Sequence, residues 1–79
     1  MKAYAYVLIG TEPRSTSETF KRLCDTPGVK SCYQTTGRWD MVLWVEASDY
    51  HELPKLVVEK IRRIEGVRDT ETLFAFERF

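Results

Sequence analysis

Four consecutive residues, Gly37-Arg38-Trp39-Asp40, set a permissive backbone joint, a cation, an indole and a carboxylate side by side. A carboxylate pairs an ammonium through charge-assisted bonds, the stronger kind of hydrogen bond. A guanidinium or the free amides of a tight turn hold a carboxylate in return. The indole supplies an apolar wall, and the glycine lets main chain approach a ligand closely. Together these groups suit a small zwitterion, above all a free amino acid. The rest of the 79 residues holds no catalytic constellation and no set of ligands at metal spacing. His51 has no Cys or His partner at such spacing and reads as an exposed residue near a helix start. This turn is therefore the candidate binding site, although turns favour Gly and Asp for backbone reasons alone.

The turn must be held by its flanks, Val29–Thr36 and Met41–Ala47, which read as two strands of a hairpin. Upstream, Ala3–Gly10 alternates small and large apolar residues as a first strand, and Thr11–Arg14 with Pro13 is a loop. Ser15-Thr16-Ser17-Glu18 has capping-box spacing, so a helix is expected from near Ser15, with Phe20, Leu23 and Cys24 on one face. Thr26-Pro27-Gly28 stops it. Asp49 followed by Glu52 offers a second N-cap, and Leu53, Leu56, Val57, Ile61 and Ile64 keep helical period. Pro54 fits poorly inside that helix, so either its first turn is distorted or the helix proper begins near Leu53. Gly66 ends it, and Val67–Phe76 forms a fourth strand with Thr70, Thr72, Phe74 and Phe76 on one side.

The order βαββαβ has two similar halves, since Pro27-Gly28-Val29-Lys30 is echoed by Glu65-Gly66-Val67-Arg68. Two right-handed crossovers in so short a chain predict an α+β, ferredoxin-like sandwich, its antiparallel sheet ordered 4-1-3-2. Both helices cover one sheet face, lined by Ala5, Val7, Ile9, Leu43 and Val45. The other carries Tyr4, Tyr6, Leu8, Val42 and Trp44, too apolar to stay wet, so a sheet-to-sheet dimer at least is expected. In this topology the 37–40 tip, the end of strand one near Gly10 and the start of strand four lie together. Strands two and four are opposite edges, roughly 14 Å apart at about 4.8 Å per step. A pocket using both the tip and strand four would then be shared between subunits.

Composition bounds the rest. Twelve basic residues balance twelve acidic ones, which argues against an electrostatic footprint for nucleic acid or an anionic membrane. An apolar share of 43% with 30% charged residues is that of one globular domain. Residues 1–9 are too short and Tyr-rich for a secretory signal, and no run approaches a membrane span. Cys24 and Cys32 match neither a C-x-x-C pair nor a zinc framework, so they are expected as reduced thiols of a soluble, cytoplasmic protein, with Cys24 an inert core residue.

Pro27-Gly28-Val29, then Cys32-Tyr33-Gln34-Thr35-Thr36-Gly37-Arg38-Trp39-Asp40, then Gly66-Val67-Arg68-Asp69-Thr70-Glu71-Thr72 resembles the effector-binding (RAM) domain of the Lrp/AsnC regulators. The likeness spans essentially the whole chain. It implies pairing through the sheets, assembly into rings, often octamers, and amino-acid binding between neighbouring dimers at the G-x-x-D loop. On this resemblance Gly37 and Asp40 carry over directly, Thr70 and Thr72 fall on the matching T-x-T strand, and Thr36 flanks the loop. Arg38 and Trp39 occupy its variable positions. No cofactor or metal is implied. Family regulators carry an N-terminal helix-turn-helix domain, whereas this chain starts at Met1-Lys2, so residues 1–79 read as a single stand-alone domain without direct DNA recognition. Partners would be a free amino acid, further copies of the chain and full-length regulators of the family. Two other classes remain in view. One is a cofactor-independent monooxygenase with a cavity lined by His51, Tyr33, Tyr6 and Trp44, and the other is an oligomerisation partner with no ligand.

Overall fold

A computed structural model describes residues 2–77, so positions 1, 78 and 79 of the single-domain reading lie outside the described residues. The elements are β1 (Ala3–Thr11), α1 (Ser17–Asp25), β2 (Val29–Gln34), β3 (Met41–Ala47), α2 (Glu52–Leu56) and β4 (Val67–Ala75). Between α2 and β4 the helix runs on without a break as a π-helical segment, Val57–Ile61. The sheet is ordered β2-β3-β1-β4 with every neighbouring pair antiparallel, which is the expected 4-1-3-2 order seen from its other edge.

Alternation along the strands decides which face is dry. Ala3, Ala5, Val7 and Ile9 of β1 and Met41, Leu43 and Val45 of β3 are buried against Leu23 of α1 and Leu53, Val57 and Ile61 of the second helix. Tyr4, Tyr6, Leu8, Val42 and Trp44 alternate with them onto the opposite, uncovered face. In β4, Thr70, Thr72 and Phe74 register opposite Ile9, Val7 and Ala5, so these three share the helix side as their alternation implies. Phe76 falls one residue past the end of the strand.

The second helix starts at Glu52 with His51 as its N-cap and no side-chain bond from that residue, and Asp49 instead holds the turn leading in. The Asp49 Oδ1 accepts the His51 and Glu52 amides at 2.9 and 3.0 Å. Pro54 then falls in the first turn, where its missing N–H costs nothing because first-turn amides lack helical partners anyway. Leu53, Val57 and Ile61 are spaced by four. In an α-helix residues four apart rotate by about 40° around the axis, so such a row drifts off its face. The π segment widens the turn, with the Arg62 amide reaching back to the Val57 carbonyl at 2.8 Å, and keeps the three in line on the core.

The first helix departs from expectation. It begins at Ser17, with Thr16 as N-cap and no side-chain capping bond. Hydroxyls at and beside the capping box are used for tertiary contact instead. Ser15 donates to the Gly66 carbonyl at 3.1 Å, and Thr19 donates to that of Glu65 at 3.0 Å.

Those contacts expose the pseudo-symmetry of the halves. Gly28 and Gly66 take φ of 99° and 101°, and each carbonyl accepts an amide at 2.8 Å, from Glu46 and Glu12 respectively. A Cβ at Gly28 would press on Leu56 of the second helix, and one at Gly66 on Thr19 of the first. Each helix-to-strand turn is thus seated against the other half's helix.

The cysteines correct the sequence reading. Cys24, in the last turn of α1, and Cys32, in β2, are joined as a disulfide with Cα atoms 5.7 Å apart. Both are half-buried. Sequence spacing detects only locally built pairs, whereas this one is made by the fold, which lays the end of α1 beside the edge strand.

Candidate functional site

The hairpin tip is stitched to its surroundings by main-chain and Thr35 bonds. The Thr35 amide donates to the Asp40 carbonyl at 3.0 Å, and its hydroxyl donates to the Trp39 carbonyl at 2.6 Å. The Asp40 amide in turn donates to the Ile9 carbonyl at 2.8 Å, tying the tip to β1. Gly37 takes φ of 95°, and no protein atom lies within 4 Å of where a Cβ would sit. Its backbone is therefore bare to an approaching ligand.

Asp40 is fixed by a residue that sequence reasoning placed in a loop. Thr11 is the last residue of β1, at a break in the β1–β4 register between Gly10 and Thr11. Such irregularities re-aim the backbone. Here the Thr11 amide donates to Asp40 Oδ2 at 2.8 Å, and the Thr11 hydroxyl donates to the same oxygen at 3.1 Å. These two bonds hold the Asp40 carboxyl below its ordinary value against the opposing effect of burial, with the Arg68 guanidinium adding a smaller lowering than either. The carboxylate is thus ionised and oriented, and among the described residues no donor bonds its second oxygen, Oδ1.

Arg38 lies over its neighbour, the guanidinium carbon 5.3 Å from the Trp39 ring centroid, a cation–π arrangement that pre-shapes both side chains. Arg38 and Thr36 are exposed and Trp39 is half-buried. Thr70 registers on Ile9, as does Met41, the residue after Asp40. The two are therefore about 10 Å apart across β1. Thr72 is two residues further along, on the same helix side of the sheet. The tip, the end of β1 and the start of β4 do share one end of the sheet, as the topology required. The tip nevertheless stays open within one chain, and Thr72 is not brought to it.

The cavity groups of the monooxygenase-like alternative are not assembled. Tyr6 and Trp44 touch on the uncovered face with ring centroids 4.6 Å apart, and Tyr33 lies on that same face. His51 is exposed beside α2, in the helix layer on the other side of the sheet. Among the described residues no group of three or more His, Cys, Asp or Glu is placed to hold a metal ion, and no helix is long and apolar enough to cross a membrane.

Sequence reasoning missed Thr11 and the influence of Arg68. The partnership of Thr11 with Asp40 spans 29 positions and leaves no local motif. Its one legible signal was topological, since the end of strand one already belonged to the tip's end of the sheet.

The fold agrees with known proteins. A profile of the Lrp/AsnC ligand binding domain matches residues 4–79, and the chain belongs to that family of transcriptional regulators and their ligand-binding domains. An HTH-type transcriptional regulator of Pyrococcus furiosus is 37% identical over 75 residues, which cover 91% of this chain and 50% of that protein. The chain spans about half the length of the curated relatives it matches. A crystal structure from Thermus thermophilus is 34% identical with a TM-score of 0.88, covering 98% of this chain and 96% of its own. A transcriptional regulator of Neisseria meningitidis, solved as an L-Met complex, shares the fold at a TM-score of 0.82 and 22% identity, over 95% of this chain and 50% of that one.

Proposed function

We propose that this chain is a non-enzymatic regulatory module that binds a free amino acid at the 37–40 tip and works as a dimer or larger ring in the cytoplasm. The observation that carries the reading is the Asp40 carboxylate, ionised and oriented by Thr11, beside the bare backbone of Gly37 in a chain of a ligand-binding family. Asp40 takes the ammonium of the effector. The tip amides or Arg38 take its carboxylate, Trp39 walls the apolar part, and Thr36 flanks the loop.

The uncovered sheet face supports self-association. Tyr6, Leu73 and Tyr33 are 47%, 44% and 64% exposed there, around a Trp44 stacked on Tyr4 at 5.3 Å. A second sheet laid on this face removes that apolar area from water, at about 25 cal/mol per Å². Because the tip is open within one chain, the receptor cavity closes at a seam between dimers, with Thr70 and Thr72 contributed across it. Effector binding then favours whichever assembly forms the cavity. The module acts through mixed assembly with full-length Lrp/AsnC-type regulators.

A thermal-shift screen against the twenty amino acids tests this, methionine included because a fold neighbour was solved with it. Ligand at about 100 times its Kd adds roughly 2.7 kcal/mol and a clear rise in Tm. If no amino acid moves either Tm or the oligomer distribution, the sensor reading fails.

A further inference from the structure

We infer that the Cys24–Cys32 disulfide is a redox-sensitive clamp at the root of the effector loop. β2 is an edge strand, paired only with β3, and its register with β3 is irregular between Val29 and Ser31. Its regular pairing through Cys32, Tyr33 and Gln34 ends two residues beyond the disulfide, and Thr35 then begins the tip by bonding Asp40 and Trp39. The bond to α1 is therefore the covalent anchor nearest the tip, fastened to a strand whose other edge is unpaired.

The bond is also reachable. The two half-buried cysteines line an open groove of about 570 Å³ with Ser17, Phe20, Lys21, Gln34 and Met41. A small dithiol, or the reactive thiol of a dithiol oxidoreductase, enters from that side. One thiolate of the reductant attacks a sulfur of the pair, the S–S bond breaks, and the departing cysteine thiolate takes up a proton. The reductant's second thiolate then resolves the mixed disulfide and releases the other cysteine. The net change is two electrons and two protons gained by the protein and a disulfide formed in the reductant. Once reduced, β2 is held by β3 and side-chain packing alone, and the tip samples more conformations before it can bind.

Hydrogen exchange on the full chain tests the clamp without any ligand. Three samples are compared: oxidised, reduced with dithiothreitol, and the Cys24→Ser/Cys32→Ser variant. Intact mass fixes the redox state, because the oxidised chain is two hydrogens lighter. The hydrogen-bonded amides of Thr35 and Asp40 should exchange at least about tenfold faster in the reduced sample and the variant, while those of Val7 and Leu43 keep their protection. Oxidised glutathione should restore the reduced sample. Exchange at Thr35 and Asp40 that is the same in oxidised and reduced protein overturns the inference, as does a chain that stays a dithiol under oxidised glutathione. If the double variant does not fold, the dithiothreitol arm decides alone.

Regulation of binding is read separately and rests on the function proposed above. The amino acid that stabilises the oxidised chain should bind about fivefold more weakly to the reduced one. Equal affinity overturns that link. A panel with no binder sinks the effector reading while the exchange result still decides the clamp.

Discussion

Asp40 has two jobs that a single truncation would confuse. It satisfies the Thr11 amide and hydroxyl at the end of β1, and under the proposed function it also takes the effector's ammonium. Asp40→Ala removes both, and we expect it to cost about 1.5 kcal/mol in denaturant unfolding, the low end for a hydrogen bond to a charged group. Asp40→Asn keeps an acceptor for Thr11 while removing the charge. It should unfold within roughly 0.5 kcal/mol of the parent and yet lose amino-acid binding. Normal binding by that variant would show the site assignment to be wrong even with the fold intact. The lowered carboxyl value has a definite sign. A group whose folded value lies below its unfolded one, about 3.9 for Asp, contributes stability that is fully present above that unfolded value and is lost as pH falls through the folded one. The Thr11 amide resonance should therefore titrate below about pH 3.9, and that titration should vanish in Asp40→Asn. The places of Gly37 and Asp40 in the turn were legible in the sequence because turns favour those residue types. Thr11 was not, because its role comes from a register break that no short pattern encodes.

At the scale of elements, the sequence was most readable where one residue does one job. Pro54 sits in the first turn of α2, where the missing amide is harmless, whereas Asp49 bonds the amides of the turn leading in and leaves His51 as the N-cap. It misled where hydroxyls had a competing partner. Ser15 and Thr19 serve the Glu65-Gly66 turn, so α1 begins two residues later than the capping box proposes. The π segment was hidden as well, since spacings of four and of three or four are hard to tell apart over three turns. It ends on fully buried Ile61, and Ile61→Ala should cost about 2–5 kcal/mol by denaturant unfolding. A cost near zero would mean that the π segment does not hold Ile61 on the core. The disulfide closes a loop of sequence separation 8, for which chain-entropy reasoning gives about 2.5 kcal/mol. Reductant should lower the unfolding free energy by about that amount.

For the molecule as a whole, the strand order, the shared end of tip, β1 and β4, and the bare aromatic face all followed from alternation and topology. Alternation is unambiguous when Ala3, Ala5, Val7 and Ile9 are buried and Tyr4, Tyr6 and Leu8 lie between them. What lay beyond reach was the tertiary crossing of α1 over β2 that brings the cysteines together. A chain of this size buries only about 60–65% of the surface its unfolded form exposes, so a second sheet over Trp44 adds heavily to a thin core. Tyr6→Glu sets a charge in the middle of that face and should give a folded monomer of lower Tm, measured by light scattering and calorimetry. If it leaves the mass unchanged, the partner copy sits elsewhere.

The most direct measurement is sedimentation of the purified chain at micromolar concentration, alone and with each amino acid of the panel. The account predicts a mass of at least twice the 9.3 kDa of one chain, and a shift in the oligomer distribution with the amino acids that also raise Tm. A stable 9.3 kDa species that no amino acid alters would contradict it.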